Sequence, residues 1–368
     1  MRIAFYAPLK PPDHPVPSGD RRVAQLFVEA LKLAGHEPVL ASRLRSFEGD
    51  GDLQRQERLA EIGQQLVDRI LRRCRRAPES APKLWFTYHL YHKAPDWLGP
   101  RVCAALAIPY VVAEASFAPK RERGPWVRGH YAAQEAIRRA DAVIGLNPAD
   151  RACVLPLLAE PSCWVAIKPF VDASAFTPRP PQHGRRPRLI TAAMMRDGDK
   201  LASYRILGQA LAGVLDLDWV LEVVGDGAAR GRVAVALAPL GDRVTWSGAL
   251  DGQAAACRLA DADLYVWPAI NEAFGMALLE AQASGLPAVA GASGGVAQIV
   301  RHEVTGLLVP PGDQAAFAAA VRRLLIDAGL RRQYGSAARH RVLAEHDLPT
   351  AAAQLGAVID ALRPAHAA

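Results

Sequence analysis

The sequence predicts an α/β protein made of two doubly wound parallel-sheet domains facing each other across a cleft. Three observations carry that prediction. The chain has 368 residues, enough for two domains of ordinary size. Short apolar runs alternate with helical stretches along most of it, the pattern of β-α-β units on a parallel sheet. One segment, 177–188 (TPRPPQHGRRPR), breaks the alternation with four prolines and four arginines, which suit neither a helix nor a central strand.

Taken in order, Arg2–Ala7 reads as a strand, followed by an amphipathic helix over Asp20–Ala34 that Gly35 stops. Pro38–Ala41, Leu84–Tyr88, Tyr110–Ala113, Ala142–Leu146 and Trp164–Ile167 are further strands, with helices between them, notably Leu53–Arg76 and Val127–Ala140. These form a first domain, 1–176, and 177–188 is the linker. Strands then restart at Leu189–Ala193, Trp219–Val224, Val244–Ser247, Leu264–Trp267, Ala288–Ala290 and Gly306–Val309. Helices fall at Tyr204–Leu215, Ala228–Leu240, Gln253–Ala260, Gly275–Ala283 and Gln314–Ile326, completing a second domain, 189–348. An apolar-striped helix in the tail, about 349–368, is expected to pack back on the first domain.

Composition narrows the class. Half of the chain (51%) is apolar and 22% is charged, so wholesale disorder is excluded. The five cysteines, Cys74, Cys103, Cys153, Cys163 and Cys257, include no C-x-x-C pair, which argues against a zinc ribbon or disulfide scaffold and for a reducing compartment. No secretory signal is read at the N-terminus. The longest uncharged run, Ala281 to Val300, is interrupted by glycines and a proline, so a membrane span is not expected. The expectation is a cytoplasmic protein. The net charge of +7 admits an anionic partner. No nucleic-acid-binding signature accompanies the basic clusters, such as Arg72–Arg76, so the expected anions are phosphates of a small substrate. Peripheral contact with an anionic membrane is a further expectation, carried by the basic helices of the first domain.

The segment Pro268–Gly312 carries the chemistry. Glu272 precedes a helix opened by Gly275, and Glu280 lies inside it, roughly 7–8 Å along the axis. The free N–H groups around Phe274, Gly275, Met276 and Ala277, with the helix dipole, make an anion site. Acceptor-only carboxylates at either end suit sugar hydroxyls. The pattern reads as a nucleotide-sugar site, with ribose near Glu280 and the transferred sugar near Glu272.

Glu272-Ala-Phe-Gly-Met-Ala-Leu-Leu-Glu280, followed by Gly285-Leu-Pro287, Gly294-Gly295 and Gly306-Leu-Leu-Val-Pro-Pro-Gly312, resembles the nucleotide-sugar-binding half of retaining glycosyltransferase family 4. Val223-Val-Gly225-Asp226-Gly227, Trp246 within Val244–Gly248, and Pro169–Asp172 extend the resemblance. The family has the GT-B fold, two Rossmann-like domains. The resemblance implies donor contacts from Gly225, Asp226 and Trp246. It places Arg196 and Lys200 on the donor's phosphates, here four residues apart, one fewer than is common. It also implies backbone approach at Gly19, where many members have two glycines. Gly19 is preceded here by Ser18, and a plain helix cap from Ser18 or Asp20 is the alternative. Ala115 stands where the family often carries a sugar-contacting histidine. Glu114, Ser116, His89 and His92 are the alternatives for that contact.

The resemblance implies a hexosyltransferase-like enzyme moving sugar to an acceptor hydroxyl with retention, in glycan, polysaccharide or glycolipid synthesis. Its partners would be a nucleotide-sugar donor and a saccharide or lipid-linked acceptor, with no cofactor and no metal. Asp197-Gly-Asp199 is the one Asp-x-Asp placed to hold a cation, beside Arg196 and Lys200, which already supply positive charge. A non-catalytic nucleotide-sugar binder, or an epimerase on the same fold, is the alternative.

Overall fold

The computed structural model describes residues 1–178 and 185–362. The chain divides into two compact units. One comprises Met1–Lys168 together with the helix that starts at Leu348; the other is Pro169–Asp347. No helix among the described residues is long and apolar enough to cross a membrane.

The first unit runs β1 (Arg2–Tyr6), α1 (Gly19–Leu33), β2 (Glu37–Ser42), α2 (Leu53–Arg76), β3 (Leu84–Leu90), α3 (Gly99–Leu106), β4 (Tyr110–Ala115), α4 (Val127–Arg138), β5 (Ala142–Gly145), α5 (Pro148–Val154) and β6 (Trp164–Ala166). Its six strands are all parallel, in the order β2-β1-β3-β4-β5-β6. Strands buried on both faces, such as β4, need continuous apolar runs, which Tyr110–Ala113 supplies. Ser18 caps α1 by accepting from the Arg21 N–H at 3.2 Å, and the helix buries Val23, Leu26, Phe27, Ala30 and Leu31 as one stripe.

The second unit runs β7 (Arg188–Ala192), α6 (Asp199–Ala212), β8 (Val220–Val224), α7 (Arg230–Leu237), β9 (Val244–Gly248), α8 (Gly252–Ala260), β10 (Leu264–Trp267) and α9 (Met276–Ala283). It continues through β11 (Ala288–Gly291), α10 (Val296–Ile299), β12 (Gly306–Val309), α11 (Gln314–Ile326) and α12 (Ala328–Arg341). The strand order is β12-β11-β10-β7-β8-β9, again all parallel, which is the Rossmann order. Trp219, Tyr204, Tyr265, Phe317 and Leu279 are fully buried in its core. The final helix, α13 (Leu348–Ala361), packs on α1 within the first unit and buries Ala351, Leu355 and Ile359.

The chain leaves the first unit at Lys168–Pro169, ahead of 177–188. Pro169–Phe176, assigned above to the first domain, is held by the second. The Val171 N–H donates to the His346 carbonyl at 2.9 Å and the Ala173 N–H to Asp347 at 3.0 Å, while Val171 and Phe176 join the second core. Of the expected linker, residues 179–184 lie outside the described residues. Beyond them, Arg185 donates to the Asp261 carbonyl at 2.7 Å, and Arg188 opens β7 and pairs with Glu222 at 3.1 Å. Those two arginines brace the second sheet. Helix bounds shift by a few residues in several places, and two differences are larger. The helix after β7 starts at Asp199, not Tyr204, and α12 occupies a stretch the hydrophobic pattern does not single out.

Candidate active site

Open α/β sheets bind ligands beyond the carboxyl ends of their strands, where the strand order reverses. In the second unit that point lies between β7 and β10. The segment after β7 carries Arg196 and, on the first turn of α6, Lys200; the loop after β10 carries Glu272. The structure brings two of these three together. Lys200 forms an ion pair with Glu272, both side chains being largely buried. Glu272 also accepts from the Trp267 indole N–H at 3.0 Å, and the Lys200 ammonium lies 5.3 Å from the Trp267 ring centroid. The Arg196 side chain is exposed and makes no hydrogen bond or ion pair among the described residues.

The loop 268–275 is held in an uncommon shape. Ala269 (φ 54°) and Asn271 (φ 47°) are left-handed, a conformation costing on the order of 1–3 kcal/mol at a non-glycine residue. Contacts with α6 sustain it. The Ile270 N–H donates to Ser203 Oγ and the Asn271 amide to Asp199, each at 3.0 Å. Behind the loop, a Cβ on Gly294 would lie 2.1 Å from the Glu272 carbonyl oxygen, so the β11–α10 turn seats directly on the backbone that carries Glu272. The Gly295 N–H completes the seat by donating to the Ala273 carbonyl at 2.8 Å.

Gly225 does the same for the other loop. A Cβ there would lie 2.0 Å from the Ala193 carbonyl oxygen, and the Met195 N–H donates to the Asp226 carbonyl at 2.9 Å. Gly225 and Asp226 therefore brace the segment bearing Arg196 through their backbone. The Asp226 side chain is exposed and accepts from the Gly227 N–H at 2.8 Å. Trp246, half-buried on β9, carries Arg230 over its ring at 5.5 Å.

Helix α9 starts behind Gly275 (φ 79°), and the first N–H groups, at Met276 and Ala277, have no partner within the helix. The side chains of Phe274, Met276 and Ala277 pack against the core, leaving backbone as what this turn offers an anion. Glu280 is half-buried on the next turn, and Glu272 and Glu280 both act electrostatically on the buried Tyr265 phenol. Asp197 pairs with Arg232, and Asp199 accepts from Asn271. Both carboxylates of the Asp-x-Asp triplet are thus engaged within the protein.

In the first unit the strand order reverses between β1 and β3, and a second polar group forms there. Asp20, one residue past Gly19, meets the His89 Nδ1 at 3.0 Å. With Ser18 as the helix cap, the Asp20 carboxylate is left for His89; a Cβ at Gly19 would meet nothing within 4 Å. His89 on β3 and Glu114 on β4 occupy the same register step, between the pairs Tyr88–Ala113 and Leu90–Ala115. Both are left-handed there, at φ 60° and 58°. Glu114 is 9% exposed and accepts from the Leu146 N–H. Ser116 acts to lower the Asp150 carboxyl.

These groups titrate abnormally. Burial pushes Glu114 up to about 7, against the pull of the Leu146 N–H and of His89. Burial acts to lower His89, but the hydrogen bond and charge of Asp20, with Glu114 and Asp150, turn the net shift upward. Asp150 is raised, chiefly by burial.

His92 does not join this group. It lies against Trp126, with Arg121 and Lys93 over the same indole, and burial followed by those cations lowers it to about 4. Ala115 is 2% exposed in the apolar core, so the polar groups at this edge are Glu114 and His89. Nothing in the sequence singles out Asp20, Asp150, Trp267 or Asn271 as site residues. The local pattern around Trp267 marks a core strand end, and only the fold shows its indole N–H reaching Glu272.

Two Rossmann-like sheets in one chain, each with charged groups at its switch point, define a protein of the GT-B class. Solved structures of this fold superpose over nearly the whole chain. A sucrose-phosphate synthase from Thermosynechococcus elongatus has a TM-score of 0.74 at 24% identity, with 98% of this chain and 99% of that one covered. Anabaena HepE in complex with UDP and glucose has a TM-score of 0.72 at 18% identity, with 98% and 99% covered. Residues 193–341 match the family model described as glycosyl transferases group 1. The chain has the GT-B fold, and the match to the glycosyl transferases group 1 family lies within its second unit.

Among curated relatives, a D-inositol 3-phosphate glycosyltransferase from Geodermatophilus obscurus is 32% identical over 247 residues, 55% of this chain and 50% of that protein. A glycogen synthase from Mycobacterium tuberculosis is 30% identical over 289 residues, 70% of this chain and 66% of that protein. The chain spans half or less of the length of the first curated relatives it matches.

Proposed function

We propose that this protein moves a sugar from a nucleotide-diphosphate donor to an acceptor hydroxyl with retention at the anomeric carbon. The donor binds the second unit. The acceptor, a saccharide or lipid-linked saccharide of glycan, polysaccharide or glycolipid synthesis, binds the first. The observation that carries this reading is the Lys200–Glu272 pair at the β7/β10 switch point, at the mouth of α9, with Glu280 one turn further along that helix.

A diphosphate at the α9 N-terminus would be met by free N–H groups, the helix dipole, Lys200 and Arg196. Those charges stabilise the leaving nucleotide as its negative charge grows. Glu280 accepts from the ribose hydroxyls and Glu272 from the transferred sugar. The departing phosphate oxygen takes the acceptor's proton on the face it leaves, so no protein base is required. Asp197 and Asp199 are held by Arg232 and Asn271, which favours phosphate binding by cationic side chains over a metal bridge. The HepE structures with UDP and glucose make uridine nucleotides the first donors to try.

The test is a thermal-shift screen against UDP-, GDP-, ADP- and TDP-sugars, then proton NMR of the product formed from the donor that binds. One class of nucleotide sugar should raise the melting temperature, and the product should keep the donor's anomeric configuration. Removing Arg196 and Lys200 together should abolish turnover. An inverted product would refute retention, and full activity of the double variant would refute the phosphate role.

A further inference from the structure

On the reading that Lys200 serves the donor phosphates and Glu272 the sugar, the phosphates compete with Glu272 for the Lys200 ammonium when donor binds. Here Lys200 and Glu272 neutralise each other. A diphosphate that draws the Lys200 ammonium takes away the counter-ion of Glu272. The indole N–H of Trp267, 3.0 Å from Glu272 Oε2, is the donor left to hold that carboxylate.

Trp267 is built to stay where it is. It is the last residue of β10, 2% exposed, and Tyr204 meets its ring edge-on at 5.1 Å. Tyr204 is anchored in turn, its hydroxyl donating to the Ala193 carbonyl at 2.9 Å. The indole face carries the Lys200 ammonium and its N–H edge carries Glu272. One rigid ring thus touches both groups while belonging to neither the phosphate nor the sugar site.

We propose that Trp267 is a positioning residue, which keeps Glu272 aimed at the sugar hydroxyls once the donor's diphosphate has drawn Lys200 away. Recognition of the sugar then depends on an indole N–H that touches no substrate. Phenylalanine at 267 would keep a ring beneath Lys200 and remove the donor to Glu272.

The experiment compares wild type, Trp267→Phe, Glu272→Gln and the double variant by calorimetry, using UDP and UDP-glucose, or GDP and GDP-mannose if guanosine is the base bound. Trp267→Phe should bind the diphosphate within twofold of wild type and bind the nucleotide sugar about 10-fold more weakly, the loss expected of one hydrogen bond to a charged group. The double variant should be no weaker than Glu272→Gln, because Trp267 acts through Glu272. Equal losses for diphosphate and nucleotide sugar, or additive losses in the double variant, would overturn the proposal. If Trp267→Phe does not melt cooperatively, Trp267→3-benzothienylalanine, which keeps the fused ring and lacks the N–H donor, takes its place in the same cycle, with the same outcomes decisive. Wild type that binds diphosphate but gains nothing from the sugar would refute the sugar role of Glu272. Wild type that binds none of the UDP, GDP, ADP and TDP nucleotides or their sugars would bring down the donor-site reading, and this proposal with it.

Discussion

Glu114 makes the stability of the first unit depend on pH in a direction opposite to that of an ordinary paired carboxylate. Burial raises it from 4.5 to about 7, so between those values the folded chain holds a proton that the unfolded chain has released. Stability from this group is complete below pH 4.5 and is lost as pH rises through 7. At about 1.36 kcal/mol per pH unit, the loss between pH 5 and pH 8 comes to roughly 2–3 kcal/mol. Glu114→Gln keeps an acceptor for the Leu146 N–H and removes the titration. Urea unfolding followed by circular dichroism at pH 5 and pH 8 should therefore show wild type losing roughly 2–3 kcal/mol more than the variant. The comparison with the variant matters because other groups titrate in the same window. His89, raised, also loses its contribution as pH rises, whereas His92, lowered to about 4, gains stability between 4 and 6.5. Asp20 and Asp150 face the same cluster, and both remain in the variant. Equal pH dependence in wild type and Glu114→Gln would refute the argument that burial keeps this carboxyl protonated.

Two further outcomes follow from the donor site. Glu280→Ala should weaken nucleotide-sugar binding 10- to 150-fold, the range for losing hydrogen bonds to a charged acceptor worth about 1.5–3 kcal/mol, with unchanged affinity by calorimetry counting against the ribose role. Gly294→Ala should cost about 1–3 kcal/mol in unfolding experiments and weaken nucleotide-sugar binding, because its Cβ falls on the Glu272 carbonyl; a variant that melts and binds as wild type would remove that turn from the account.

Much of the fold was legible because buried parallel strands need uninterrupted apolar runs. The strands Leu264–Trp267 and Gly306–Val309 begin and end where their apolar runs do. α12 was not legible. Gly329 and Gly335 depress its helix propensity, and it forms because Tyr334 and Ala338 bury against neighbouring elements. The start of α6 was missed for a related reason. Asp199 and Lys200 are polar, and what secures that first turn is the distant loop 268–275.

The sequence by itself determined the two sheets and the helix that begins after Gly275. Each of these depends on residue type and near-neighbour spacing. The tertiary structure decided which charges meet. Lys200 and Glu272 are 72 residues apart in the chain, and Asp20 and His89 are 69 apart. Each pair becomes adjacent because strand order reverses between the strands that carry it, β7 beside β10 and β1 beside β3. No local pattern encodes that reversal. It follows from how each whole sheet buries its apolar faces.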